Sequence, residues 1–174
     1  MTADSRVQER VFVFLSDPAT HPRVHRIDTH AASVFLEGER ALKIKRAIRF
    51  PYLDYSTLAK RKAACEQEMT VNRRFAPQIY RRVVPITEDG EGLLSIDGEG
   101  TPVEFAIEMT RFDENRTIDH LAEAGPLASD LIDAIADAIA ASHLAAPRVS
   151  GAPWIQSIPG IIAGNTAAFR TATG

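Results

Sequence analysis

One polar helical segment set inside a series of short strands is the feature that most restricts what this chain can fold into. Between residues 24 and 110, turn signals cut the sequence into short apolar or alternating runs, and only 57–75 has helical spacing over any length. Strands are expected at about 24–29, 33–37, 40–45, 83–86, 93–96 and 103–109. Gly38-Glu39 forms a tight hairpin turn between the second and third. Asp89-Gly90-Glu91-Gly92 and Asp97-Gly98-Glu99-Gly100 flank the 93–96 segment and give the stretch the look of a meander. Ser56 or Thr57 offers an N-cap for the helix, and Ala76-Pro77 ends it after Phe75. Strands, one helix, then more strands do not fit a doubly wound sheet, which needs regular alternation. The expectation is an α+β fold: an antiparallel sheet with one long helix.

On either side the pattern is helical. Residues 6–15 read as a short helix with Val7, Val11, Phe14 and Leu15 at roughly helical spacing, although Val11-Phe12-Val13-Phe14 also suits a strand. Asp17-Pro18 and His21-Pro22 break it, and Phe50 to Tyr55 reads as an aromatic-rich loop. After Arg111-Phe112-Asp113-Glu114-Asn115 come a helix at 117–124, closed by Gly125-Pro126, and another at 127–143. The second carries Leu131, Ile135, Ala138, Ile139 and Ser142 along one face, with Asp130 and Asp133 near its N-terminal end. Pro147 and Pro153 end the regularity, and 161–170 starts a further helix. Three parts follow: a sheet lobe with an N-terminal helix (1–110), a connection (111–116), and the beginning of a helical lobe (117–174).

The 174 residues suffice for one domain and a fragment of a second, and 45% apolar with 25% charged residues is ordinary for a globular chain. A formal net charge of -3 argues against a nucleic-acid binder. The cations are nevertheless crowded, from Lys43, Lys45, Arg46 and Arg49 through Lys60, Arg61, Lys62, Arg73 and Arg74 to Arg81 and Arg82. A local anion site fits this block; a solvated face, or an RNA- or phosphate-binding surface, are the alternatives. Cys65 is the only cysteine, which excludes an internal disulfide and a Cys-only metal site, and it reads as a small buried residue. With no leader-like start and no apolar run of membrane-spanning length, a cytoplasmic location without a membrane partner is expected.

The candidate chemistry lies in Ala41-Leu42-Lys43-Ile44-Lys45 and the helix after it. Side chains alternate along a strand, so Ala41, Lys43 and Lys45 share one face. A small residue two positions before a lysine leaves room for a flat base above the sheet, while the lysine reaches phosphates on the same side. That favours Lys43 over Lys45. An edge strand with two solvated lysines is the competing interpretation. On the helix, Leu58, Cys65, Met69, Asn72 and Phe75 lie near one stripe, and Glu68 stands at its border, able to face the sheet. Glu66 is less well placed, and either glutamate would otherwise be a surface partner of Lys62 or Arg73.

The run from Val34 to Arg46, the segment Phe50-Pro51-Tyr52-Leu53-Asp54-Tyr55-Ser56-Thr57, then Cys65-Glu66-Gln67-Glu68 and Asn72-Arg73-Arg74-Phe75-Ala76-Pro77 together resemble the amino-terminal part of aminoglycoside-phosphotransferase-like proteins. The likeness is greatest to the bacterial subgroup often fused to a P-loop ATP-binding domain. Asp17-Pro18-Ala19, Met109-Thr110-Arg111-Phe112 and the helix ending Ser142-His143 add to it, so it covers roughly 10 to 145. The resemblance implies a protein-kinase-like small lobe. Lys43 would bind the phosphates of ATP (or GTP) with Mg, and Glu68 would orient Lys43. Glu108 to Phe112 would form the hinge beside the base, through backbone groups of residues such as Met109 and Arg111.

Two departures qualify it. The turn between the first two strands, Thr29-His30-Ala31-Ala32-Ser33, is not glycine-rich. No His-Gly-Asp-type loop follows the helix ending near His143, and no Asp or Glu occurs after it. The expectation is therefore the N-terminal, truncated portion of a small-molecule kinase: a nucleotide-binding half-site that does not catalyse transfer alone. The parent's acceptor would be a small-molecule hydroxyl, and an unfinished lobe would expose apolar surface and favour self-association. A non-catalytic nucleotide-sensing or protein-interaction module is the alternative.

Overall fold

The computed structural model describes residues 3–173. In chain order the elements are α1 (Ala3–Ser16), β1 (His25–Asp28), β2 (Ala32–Glu37), β3 (Arg40–Lys45), β4 (Arg49–Phe50), β5 (Leu53–Asp54), α2 (Leu58–Asn72), β6 (Tyr80–Glu88), β7 (Leu94–Ile96), β8 (Thr101–Thr110), α3 (Ile118–Ala124), α4 (Ser129–Ala145) and α5 (Ala152–Thr173). The fold is α+β, with a six-stranded antiparallel sheet and five helices among the described residues. The chain divides into two units, Met1–Asp113 and Glu114–Gly174.

In the first unit the strand order is β1-β2-β3-β8-β6-β7, with β4 and β5 as a separate hairpin. Late-arriving β8 enters the middle, pairing Ala41 with Met109 and Lys43 with Ile107 on one side and Val83 with Ile107 on the other. The β2–β3 hairpin turns at Gly38-Glu39, closing Glu37 onto Arg40. Gly38 takes φ +56°, a left-handed conformation that glycine adopts without strain.

Each face of the sheet is covered by one helix. On the first, Val11, Phe12 and Leu15 of α1 pack with Phe35, Leu42, Ile44, Val84, Ile86 and Ala106. The inward positions are 8, 11, 12 and 15, so helical spacing decides the segment that also suited a strand, and Val13 and its alternation point outward. Three buried side chains of this kind contribute about 1.5–3 kcal/mol each before entropy. That is comparable to a whole domain's net stability, roughly 5–15 kcal/mol. Helix α1 is thus part of the core. On the second face, Cys65 of α2 packs with Leu36, Ala41, Ile107 and Met109.

Several boundaries differ from those the sequence suggests. The aromatic loop is a hairpin, with β4 and β5 pairing across Pro51-Tyr52 and Phe50 stacked on Tyr52. Helix α2 stops at Asn72, before Phe75, with the amide of the capping residue Arg73 donating to the Met69 carbonyl. Strand β6 begins at Tyr80, where cross-strand partners on β8 extend it: the Arg82 guanidinium donates to Glu108 at 2.7 Å.

In the second unit, α4 runs to Ala145 and leaves Leu131, Ile135 and Ser142 half-buried along the expected face. Helix α5 corrects the expectation that Pro153 ends regularity. Pro153 falls in its first turn, where no amide hydrogen is needed, and Pro159 lies inside it. Trp154, Ile155, Ile162 and Phe169 are exposed. No helix among the described residues is long and apolar enough to cross a membrane.

The interior of the first unit also holds charge. Glu104 of β8 has no exposed surface, and Arg61 of α2 is 1% exposed. Arg61 Nε donates to both Glu104 oxygens, at 3.0 and 2.9 Å, while Nη1 donates to the Tyr55 carbonyl and Nη2 to Asp4. Gln8 Nε2 and the Phe105 amide complete the shell around Glu104, at 2.7 and 3.0 Å. Burial pushes the Glu104 carboxyl above its ordinary value, and Arg61 pulls against that shift. Removing one member of such a pair leaves a buried charge without compensation. Arg61→Ala is expected to cost about 3–5 kcal/mol in urea unfolding. The joint replacement Arg61→Met with Glu104→Leu is expected to cost clearly less than that single change.

Candidate functional site

The site is assembled by β3 and the second half of α2. Helix α2 is well started: the Asp54 carboxylate accepts from the Ser56 amide and hydroxyl, and the Thr57 side chain caps the Lys60 amide. Asp4 of α1 accepts from the Leu58 amide at 3.1 Å. From that start, Arg61, Cys65 and Glu68 follow at i, i+4 and i+7 and so share one helix face. Arg61 and Cys65 anchor the face, and Glu68 is delivered above β3.

There it meets both lysines. Lys43 Nζ donates to Glu68 Oε1 at 2.8 Å, and Lys45 Nζ donates to Glu68 Oε2. Their side chains are 28% and 10% exposed, that of Glu68 13%. Strand parity allows both contacts, and Lys43 is the more accessible of the two lysines. Lys45 also lies 5.4 Å from the centre of the Tyr55 ring. Glu66 stands outside the site, in a loose 3.8 Å pair with Lys62.

Electrostatics follow from this packing. Burial pushes the Glu68 carboxyl upward, but hydrogen bonds and charge from Lys43 and Lys45 outweigh it and hold the group below its ordinary value. For Lys45 burial favours the neutral amine, yet Glu68 reverses the balance and raises it. The cluster is formally two ammonium groups around one carboxylate. Cys65, beside it, is pushed up to about 12 by burial, so its thiol is protonated and is not a nucleophile.

The other expected positions are core or backbone features. Ala41 packs with Leu36, Cys65, Ile107 and Met109 and is 4% exposed; Met109 stands in the ladder between Ala41 and Tyr80. The amide of Arg111 donates to the Glu39 carbonyl at 2.7 Å, so this one of its backbone groups is engaged within the protein. The 29–33 turn is closed on itself: the Thr29 amide donates to the Ala32 carbonyl, and the Ala32 amide to Thr29 Oγ1. Among the described residues no group of three His, Cys, Asp or Glu is placed to hold a metal ion.

Sequence reasoning missed Arg61, Gln8 and Tyr55. A signal existed for Gln8, which recurs with Val11, Phe12 and Leu15 at helical spacing and is a polar residue on an apolar stripe. Arg61 gave none, since an arginine in Lys60-Arg61-Lys62 looks like surface.

Comparison with known proteins gives relatives without an assigned activity. Uncharacterized proteins of Mycobacterium bovis and of two strains of Mycobacterium tuberculosis are each 30% identical over 121 residues, 70% of this chain. The match spans 22% of those relatives' length, so the chain corresponds to about a fifth of each. No family profile matches the chain. No solved structure matches it significantly.

The depressed Glu68 value gives a pH signature. The unfolded chain binds the extra proton between the folded value and the ordinary one, about 4.3, so the pair's stabilisation is complete above that range. It is lost as pH falls through the folded value. Urea midpoints of the wild type and Glu68→Gln are expected to differ by a constant amount at neutral pH and to converge in acid. Curves that stay parallel throughout would show that Glu68 carries no charge-dependent stability.

Proposed function

We propose that Lys43, Lys45 and Glu68 form the phosphate-binding half of a nucleotide site, in a protein-kinase-like small lobe of the aminoglycoside-phosphotransferase-like type. The observation that carries this reading is the one carboxylate on α2 shared by two ammonium groups on β3. Two cations around one anion leave a net positive charge in a half-dry position, where a phosphate oxygen competes well with water. Lys43, the more exposed, is the group that reaches phosphate. Glu68 keeps it oriented, and Lys45 gives Glu68 a partner that stays when Lys43 moves.

Phosphoryl transfer needs more than this: a carboxylate near the acceptor hydroxyl and ligands for magnesium. No Asp or Glu follows His143 in these 174 residues. Transfer from ATP to a small-molecule hydroxyl is thus proposed for a whole protein that contains such a lobe, not for these residues alone. The second reading is a nucleotide-sensing module without turnover, which the same lysine–glutamate cluster would serve. Both require intracellular nucleotide, so a cytoplasmic location belongs to the proposal.

Thermal unfolding with and without ATP and magnesium tests it. Ligand at a hundredfold excess over its Kd is expected to stabilise the chain by about 2.7 kcal/mol. Lys43→Ala is expected to abolish that gain with little change in the unliganded midpoint, whereas Lys45→Ala lowers the unliganded midpoint as well. An absent shift in the wild type overturns nucleotide binding, and robust transfer by the 174-residue chain overturns the claim that its catalytic half lies elsewhere.

A further inference from the structure

None of the three side chains of the lysine–glutamate cluster comes from α1, yet α1 bonds to both elements that carry them. Gln8 of α1 is 4% exposed and makes three hydrogen bonds. Its Nε2 donates to the Lys45 carbonyl at 2.8 Å and to Glu104 Oε2 at 2.7 Å; its Oε1 accepts from the Ala47 amide at 2.7 Å. One side chain thus grips the backbone on both sides of Arg46, where β3 ends, and ties it to the carboxylate that anchors Arg61. On the same helix Asp4 accepts from the Leu58 amide and from Arg61 Nη2, at 3.1 and 3.2 Å. The two elements that carry the site, β3 through Lys45 and α2 through its first two turns, are therefore both fixed to α1. Glu68 lies seven residues after Arg61, about 10 Å along the helix, so a tilt at Arg61 displaces the carboxylate from the lysines.

We propose that α1 is a positioning brace for the Lys43–Lys45–Glu68 cluster, with Gln8 as its central positioning residue. For nucleotide affinity this rests on the function proposed above; for the geometry of the lysines it stands independently. Apolar packing of Val11, Phe12 and Leu15 holds α1 to the sheet, whereas Gln8 and Asp4 carry the coupling, so the two roles are separable by mutation.

The experiment compares Gln8→Ala with Val11→Ala, a variant that loosens α1 without touching β3 or α2 polar groups, in the full 174-residue chain. The readout is the rate at which an amine-acylating reagent modifies Lys45, followed by peptide mass spectrometry without nucleotide; ATP affinity is measured in parallel. Gln8→Ala is expected to raise Lys45 reactivity several-fold and weaken ATP binding roughly tenfold. Val11→Ala is expected to leave both near wild type at a comparable loss of thermal midpoint, and Gln8→Met, of similar length but with neither donor nor acceptor, to behave like Gln8→Ala. Equal reactivity in the Gln8 and Val11 variants at matched stability overturns the brace. If the wild type binds no ATP while Lys45 reactivity still separates the variants, the brace stands and the nucleotide reading fails.

Discussion

The carboxylate of Glu104, fully withdrawn from water, is the constraint around which the first unit is arranged. An isolated charge there would be prohibitively costly, so several donors must be brought to it and kept there. Arg61 comes from α2, Gln8 from α1 and the Phe105 amide from β8 itself. Helices on opposite faces of the sheet are thereby referred to one point. Hydrophobic burial brings α1 and α2 to the sheet without specifying how far along or at what angle they lie. The directional bonds around Glu104 supply that specification.

The consequences reach the candidate site through the geometry of a single helix. With Arg61 pinned and Cys65 packed against the sheet, the next residue on that face is Glu68, and it has no freedom to select its partners. Two lysines two residues apart on β3 necessarily lie within reach of one carboxylate. What distinguishes them is depth: Lys45 is enclosed beside Tyr55, and Lys43 is nearer to solvent.

Much of this was legible in the sequence, and for identifiable reasons. The class of fold follows from turn residues and from one helix among strands. The face shared by Ala41, Lys43 and Lys45 follows from strand parity, and the inward turn of Glu68 from helical spacing. Local periodicity encodes all of these. The Glu104–Arg61 pair and the role of Gln8 were not legible, because they depend on side chains 43 and 96 positions apart meeting in the interior. Composition also misleads there: Arg61 sits between two lysines and looks solvated, yet is among the most buried side chains. Likewise the commitment of the Arg111 amide to Glu39 depends on how a hairpin turn meets the end of β8.

Cys65 has no exposed surface, sits on α2 between Arg61 and Glu68, and is the one cysteine of the chain. No thiol reagent can reach it unless α2 lifts from the sheet. The protein thus contains its own gauge of helix opening: the rate of labelling at this single sulfur counts the excursions in which Glu68 leaves its lysines. Anything that steadies the helix, a bound anion included, is registered as a slower reaction at an atom that contacts no ligand.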